Sequence, residues 1–244
     1  MHGIVLAAGG GTRLRPLTDD LPKTLLTVDG DRTILELAFA NLAAVEVRDV
    51  LVVSGHAAGA IDEMVPVYAA RYGVRAEVRY NDRFDTANNA HSLWLTRDRW
   101  QEGALIVNGD TVHPPSVEEQ LLAARGMAPL LLALDDVKLL ADEEMKVAVA
   151  DTGAVTRISK RLDPAAAIGE YIGVSLIEPD AALPLADALL RTVAADPGRW
   201  YEDGYQEYLG SGGLVRTVPI GDVPWVEVDD HADLERARSL PCPS

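Results

Sequence analysis

A short apolar strand, residues 4–7, runs straight into Gly9-Gly10-Gly11-Thr12-Arg13-Leu14, and the segment closes on Leu21-Pro22-Lys23. This junction constrains the fold more than any other stretch of the chain. Glycines without side chains let backbone N–H groups approach an anion closely. Arg13 and Lys23 supply cations that can neutralise a phosphate chain lying on the loop. A strand that empties into such a loop suits an open α/β sheet, whose ligands collect at the carboxyl ends of the strands.

Two other glycine loops are excluded. A Walker loop needs Gly-Lys-Ser/Thr, and no such string occurs in the chain. The dinucleotide fingerprint needs a third glycine where this chain has Leu14; Glu36 alone, at about the spacing of its acidic partner, does not rescue it.

The pattern downstream supports the α/β reading. Apolar, β-branched runs at 4–7, 50–53, 76–80, 104–107 and 130–134 read as buried strands, and helical patterns at 34–44, 60–71, 88–100 and 117–124 separate them. Such alternation implies a mostly parallel sheet with helices on both faces. The second half reads differently: a hairpin over 146–159 turning at Asp151-Thr152-Gly153, a strand at 171–176, helices at 181–194 and 203–209, strands at 214–218 and 225–228, and a helix at 232–239 that Pro241 stops. No linker is long enough to part independent domains, so one domain is expected over 1–244, made of two halves, 1–135 and 136–244.

Composition narrows the partners. A net charge of −16 disfavours nucleic acid and acidic membrane surfaces, and it obliges any anionic ligand to be held by local cations and divalent metal. The single cysteine, Cys242, has no internal disulfide partner, which points to a reducing, cytoplasmic setting. Met1 is followed almost at once by a strand, so no signal peptide is expected, and the apolar run at 128–134 is too short for membrane insertion.

The string LAAGGGTRLRPLTDDLPKTLL, residues 6–26, resembles the signature of the sugar-phosphate nucleotidyltransferases, also called nucleoside-diphosphate-sugar pyrophosphorylases. The resemblance implies a glycosyltransferase-A-like, Rossmann-like three-layer fold. It also implies transfer of a nucleotidyl group from a triphosphate to a phosphorylated acceptor, with release of pyrophosphate. Joining two anionic partners calls mainly for positioning and charge neutralisation. By resemblance, Arg13 faces the leaving pyrophosphate and Lys23 reaches the α-phosphate. Asp110, in Asn108-Gly109-Asp110 after a buried strand, and Asp229, in Trp225-Val226-Glu227-Val228-Asp229-Asp230, are expected to hold Mg²⁺. Oxygen-only ligation beside phosphates suits that ion, and no histidine spacing suggests zinc. Asp230 is also a candidate helix N-cap, and Glu227 a neighbour on the strand.

Lys160 stands where relatives carry the lysine of Glu-Lys-Pro that binds the acceptor phosphate, although Arg161 replaces the proline here. The nucleotide side is expected from Leu6, Ala7, Ala8, Gly9, Gly10, Gly11 and Thr12, with Ser54 and Gly55 after the second strand, Asn88, Asn89 and Ser92 before and in a helix, and Asn108 and Gly109. Lys146, Glu170, Tyr201 and Glu202 are expected on the acceptor side.

The strings Asn88-Asn89-x-x-Ser92-Leu93, Glu144-Met145-Lys146-Val147 and Glu170-Tyr171-Ile172-Gly173-Val174 resemble the small cytidylyltransferases of phosphocholine, other phospho-alcohols and alkylphosphonates, which favours CTP. Trp200, Tyr201, Glu202, Asp203, Tyr205 and Trp225 make an aromatic and acidic cage for a quaternary ammonium conceivable, and packing of an amphipathic helix explains them equally well. Alkylphosphonates and inositol phosphate stay open as acceptors. The rival readings are a sugar-1-phosphate uridylyl-, thymidylyl- or guanylyltransferase and an inactive nucleotide-sensing subunit. Homodimers are common for such folds, and no interface signature is visible.

Overall fold

The computed structural model describes residues 1–240; Pro241 and Cys242 lie outside the described residues. The first half begins with β1 (His2–Ala7), β2 (Thr27–Asp29), β3 (Arg32–Thr33), α1 (Ile34–Ala44), β4 (Asp49–Ser54) and α2 (Ala58–Tyr72). It continues through β5 (Arg75–Tyr80), α3 (Asn89–Leu95), β6 (Ala104–Asn108), β7 (Thr111–Val112), α4 (Ser116–Ala123) and β8 (Leu130–Asp135). The second half holds β9 (Lys146–Val149), β10 (Val155–Ser159), β11 (Gly169–Ile177), α5 (Ala182–Ala195), α6 (Tyr201–Gly210), β12 (Val215–Pro219), β13 (Val226–Glu227) and α7 (His231–Ser239).

One nine-stranded sheet draws on both halves, in the order β10-β9-β11-β6-β1-β4-β5, with β8 beside β11 and β12 beside β8. β6, β1, β4 and β5 run parallel, as does β12 to β8. β11 is antiparallel to both β6 and β8, and its first residues pair with β9. A buried strand looks the same in sequence whichever way it runs, so this reversal carries no pattern of its own.

Alternate residues of the central strands feed two cores. Ile4, Leu51, Ile106 and Leu132 pack under α3, α5 and α6, whereas Val5, Val52, Leu105 and Leu131 pack under α1, α2 and α4. Burial on both faces explains why these strands read as continuous apolar runs. A third cluster joins Leu14, Leu26, Val28, Ile34, Val112, Val226, Val228 and Leu234, and it fixes the glycine-rich segment against β7, β13 and α7.

The expected helix at 88–100 divides. α3 ends at Leu95, and a 3₁₀ segment, Arg97–Glu102, follows. Thr96 marks the break: its hydroxyl donates to the Leu93 carbonyl at 2.8 Å and accepts the Trp100 indole N–H at 3.1 Å. The side chain thus competes for the local hydrogen bonds that would have continued the helix.

A buried polar pair lies away from the sheet's ligand edge. Glu118 of α4 is fully buried with both carboxyl oxygens unpartnered, and its nearest charge-bearing neighbour is His113 Nδ1 at 3.5 Å. Burial pushes the Glu118 carboxyl up to about 8 and the His113 imidazole down to about 4. The folded state therefore keeps the Glu118 proton where the unfolded chain has lost it, and that stabilisation drains away as pH rises toward 8. Glu118→Gln removes the ionisation while keeping the shape. Thermal unfolding across pH is expected to show the variant gaining on wild type from about pH 4.5 to about pH 8 and levelling off above that; a constant difference would contradict a buried neutral acid.

Candidate active site

The site forms where β1 and β6 end. After Ala8 the chain enters Gly9, around whose Cβ position nothing lies within 4 Å, and then Gly10 and Gly11. Gly11 sits at φ +55°, and a Cβ there would meet Lys23 Cβ at 3.1 Å and Thr18 Cγ2 at 3.2 Å, so both backbone and space call for glycine. Thr18 Oγ1 donates to the Gly11 carbonyl at 2.7 Å, and His56 Nε2 lies 2.8 Å from the Thr18 carbonyl. Gly109 donates its N–H to the Leu6 carbonyl at 2.9 Å, an approach so close that a Cβ would lie 2.5 Å from that oxygen.

These turns deliver three carboxylates to one point. Asp110 follows β6, Glu227 ends β13, and Asp229 lies two residues on; one oxygen of each lies within 4.8 Å of the others. The short β7–β13 ladder pairs Glu227 with Thr111, and the Val228 N–H donates to the Asp110 carbonyl at 2.8 Å. Lys23 neutralises the group, with Nζ at 2.8 Å from Asp110 Oδ2 and 3.0 Å from Asp229 Oδ1. Arg13 reaches Asp229 Oδ2 at 2.7 Å from a largely exposed position.

Electrostatics follows from this crowding. Burial alone would discharge Lys23, yet Asp110 and Asp229 more than offset it and hold the ammonium charged well above its usual range. Burial also opposes ionisation of Asp229, which Lys23 and Arg13 nevertheless keep below its ordinary value. Glu227 goes the other way: burial, then Asp110 and Asp229, push it up to about 8. One oxygen of Asp110, Oδ1, is buried without a partner. Hard oxygen donors in excess of the local cations, one of them orphaned, fit a divalent cation such as Mg²⁺.

A cavity of about 310 Å³ opens over this cluster. Leu6, Ala8, Gly9, Asn88, Asn89, Ser92 and Asn108 line it as expected, together with Arg13, Asp110, Lys160, Glu202 and Asp229. Lys160, just beyond β10, has its Nζ 5.4 Å from the Trp200 ring centre. Glu202 in the first turn of α6 is buried with Oε2 unpartnered, and burial pushes its carboxyl up to about 7 against the pull of Lys160. A second opening, lined by Lys138, Glu170 and Trp225, shares Arg13, Lys160, Glu227 and Asp229 with the first.

Other expected residues lie elsewhere. Ala7 belongs to the core, Lys23 stands behind the carboxylates, and Gly10, Gly11 and Thr12 shape the loop. Ser54 is fully buried and Gly55 packs against Phe84 and Ala8, so neither lines the cavity.

Lys146 does not face it either. Its side chain is fully buried, and Nζ donates to the carbonyls of Ala141 at 3.0 Å, Asp142 at 2.8 Å and Glu144 at 3.2 Å, fastening the loop before β9. Glu170 accepts from Lys138 Nζ at 2.6 Å and borders only the second opening. Tyr201 is buried and acts at one remove: its hydroxyl donates to Asn108 Oδ1 at 2.9 Å and lies 3.0 Å from the Tyr171 hydroxyl. Tyr205 is likewise core, its hydroxyl 2.8 Å from Ser175 Oγ. The aromatic crowding after Trp200 is thus mostly packing.

Asp230 caps α7 in a reciprocal box with Asp233 rather than joining the carboxylate cluster, which Glu227 completes. Lining residues that sequence reasoning passed over include Asn81, Phe84, Met145, Tyr171 and Gly173. Asn81 had a usable signal, because it follows β5 as Asp110 follows β6, at the carboxyl ends of parallel strands.

A carboxylate cluster beside a glycine loop, at the carboxyl ends of a mostly parallel sheet, places the chain among the α/β proteins whose sites lie at that edge. The sequence profile of the Nucleotidyl transferase family matches residues 2–129, and the chain belongs to that family. Over 97% of its length it is 30% identical to a CMP-5'-(3-aminopropyl)phosphonate synthase of Streptomyces rubellomurinus, and over 43% it is 34% identical to a choline-phosphate cytidylyltransferase of Streptococcus pneumoniae. It spans 38% and 43% of the lengths of these two relatives. The structure of an inositol-1-phosphate CTP transferase from T. maritima superposes with a TM-score of 0.80 at 23% identity, covering 100% of this chain and 98% of that one, which establishes the shared glycosyltransferase-A-like fold. No helix among the described residues is long and apolar enough to cross a membrane.

Because Lys146 serves three carbonyls at once, Lys146→Met is expected to cost about 1–3 kcal/mol of stability in urea unfolding. A variant as stable as wild type would show that the loop does not depend on this ammonium.

Proposed function

We propose that this chain is a Mg²⁺-dependent cytidylyltransferase, joining CTP to a phosphorylated alcohol or alkylphosphonate with release of pyrophosphate. The observation that carries the reading is the meeting of Arg13, Lys23, Asp110, Glu227 and Asp229 below an open glycine loop. The loop backbone and Arg13 bind the triphosphate, and Lys23 holds the carboxylates in register from behind. An acceptor oxygen oriented by Lys160 attacks the α-phosphorus; a new oxygen–phosphorus bond forms as the bond to the bridging oxygen breaks, and that oxygen leaves with pyrophosphate. Asp110 and Asp229, with Glu227, would hold Mg²⁺, which when bound offsets phosphate charge.

The names of the relatives support cytidylyl transfer, and the acceptor end adds chemistry to match. Glu202 presents an orphaned buried oxygen there, beside the exposed indole of Trp200. An acceptor carrying a phosphate or phosphonate at one end and an ammonium at the other satisfies Lys160 and Glu202 together, with the indole face against the cation.

Pyrophosphate release measured for four triphosphates against phosphocholine, aminoalkylphosphonates, inositol phosphate and sugar phosphates is expected to peak with CTP and a cationic acceptor. A maximum with a sugar-1-phosphate and another triphosphate would replace this reading. Chelation is expected to stop turnover and Mg²⁺ to restore it. Asp110→Asn should lower kcat by at least about a hundredfold while circular dichroism stays native; near-normal release would rule out Asp110 as a metal-holding group.

A further inference from the structure

On the part of the cavity wall supplied by the end of β5 and by α3, two uncharged side chains are locked to each other. Asn81, directly after β5, is fully buried, and its N–H donates to the Ser54 carbonyl at 2.8 Å. The Arg83 backbone N–H donates to Asn81 Oδ1 at 2.9 Å. A backbone N–H can only donate, so the amide has its oxygen on that side and its nitrogen on the other. There Asn81 Nδ2 donates to Ser92 Oγ at 2.9 Å.

Ser92 is thereby half committed. It is 3% exposed on the first turns of α3, its oxygen accepts from Asn81, and among the described residues its hydroxyl donates to no protein atom. Both residues line the cavity alongside Ala8, Gly9 and Phe84. The remaining partner for the Ser92 proton is whatever occupies that end. A buried hydroxyl proton left without an acceptor costs the desolvation of the group, so the site favours an occupant that offers a lone pair there.

Pyrimidine bases differ on this point. Cytosine presents a lone pair at ring N3, whereas uracil and thymine present an N–H. A hydroxyl held as donor forms a hydrogen bond with the first and sets donor against donor with the others. We propose that Ser92, oriented by Asn81, selects cytosine over uracil by donating its hydroxyl proton to ring N3. The inference rests on the cytidylyl reading above and assigns the residues that enforce it: Ser92 touches the base, and Asn81 is a positioning residue that fixes the direction of the serine hydrogen bond. Neither belongs to the carboxylate cluster or to the phosphate-binding cations.

Calorimetric titration of Mg·CTP and Mg·UTP into wild type, Ser92→Ala and Asn81→Asp tests this without needing the acceptor. Wild type is expected to prefer CTP, and Ser92→Ala to reduce the CTP:UTP affinity ratio roughly tenfold. Asn81→Asp replaces the amide donor by an acceptor, draws the serine proton back, and offers the base a lone pair; the ratio should fall further and favour UTP. A merely structural role would weaken both nucleotides together and leave the ratio unchanged. If wild type prefers CTP and Ser92→Ala keeps the ratio, the inference is overturned while the cytidylyl reading stands. If wild type binds UTP as well as CTP, both fall. Should Asn81→Asp fail to fold, Ser92→Ala alone decides.

Discussion

Lys23 is the ion that the ligand edge of this protein cannot do without. Asp110, Glu227 and Asp229 crowd within 4.8 Å in a chain whose net charge is −16, and such a group repels itself unless something positive stands inside it. The Lys23 ammonium does so from behind, bonded to two of the three. It thereby ties together segments that begin, bisect and end the chain. Removing one partner of a buried ion pair leaves an uncompensated charge, which is far costlier than the pair is favourable. The same segments are held by apolar contact: Leu14 and Leu26 flank Lys23 in sequence and pack on Val112 and Val226 beside the carboxylates. The ions therefore sit on a scaffold fixed by packing, and the scaffold stays fixed because the ions are balanced.

How far this was readable in advance follows from which forces leave a periodic trace. Two-sided burial leaves long apolar runs, so β1, β4, β6 and β8 were legible, and so was the turn at Gly153 between β9 and β10; 76–80 is a strand as expected, but it is the partly exposed edge strand β5 and not a buried one. The glycine loop and the acidic residues at strand ends were legible because their chemistry needs those residue types there. Strand direction leaves no such trace, which hid the reversal of β11. The two-residue ladder between β7 and β13 is too short to have a period, yet it is what brings Glu227 to Asp110.

Depth is the other quantity that spacing does not encode. Lys146 and Lys160 both belong to the β9–β10 hairpin, and as residue types in sequence they look alike. One is sealed beneath carbonyls of the preceding loop, and the other opens on the cavity. Tyr201 and Glu202 are neighbours on α6, and only the second reaches the cavity wall. A tyrosine that hydrogen-bonds Asn108 from within the core still shapes the site, because Asn108 lines it. Sequence resemblance pointed to stretches that border the cavity; side-chain burial decides which member of each stretch lines it.

The sheet order gives the site its division of labour. Asp110 follows β6, and β6 lies between β1 on one side and β11 on the other. The β1 side carries the glycine loop and Arg13, while the β11 side leads through β9 to β10 and Lys160. Arg13, bonded to Asp229, and Lys160 therefore stand on opposite flanks of a single strand, and each borders both openings. An in-line displacement at phosphorus requires the entering and leaving oxygens on opposite sides of the reacting centre. Inserting an antiparallel β11 next to β6 is what places a second, independent wall there; a further parallel βα unit would have continued the glycine-loop side instead. The reversed strand, invisible in the sequence pattern, is thus the feature that sets Lys160 on the opposite side of β6 from the glycine loop and Arg13.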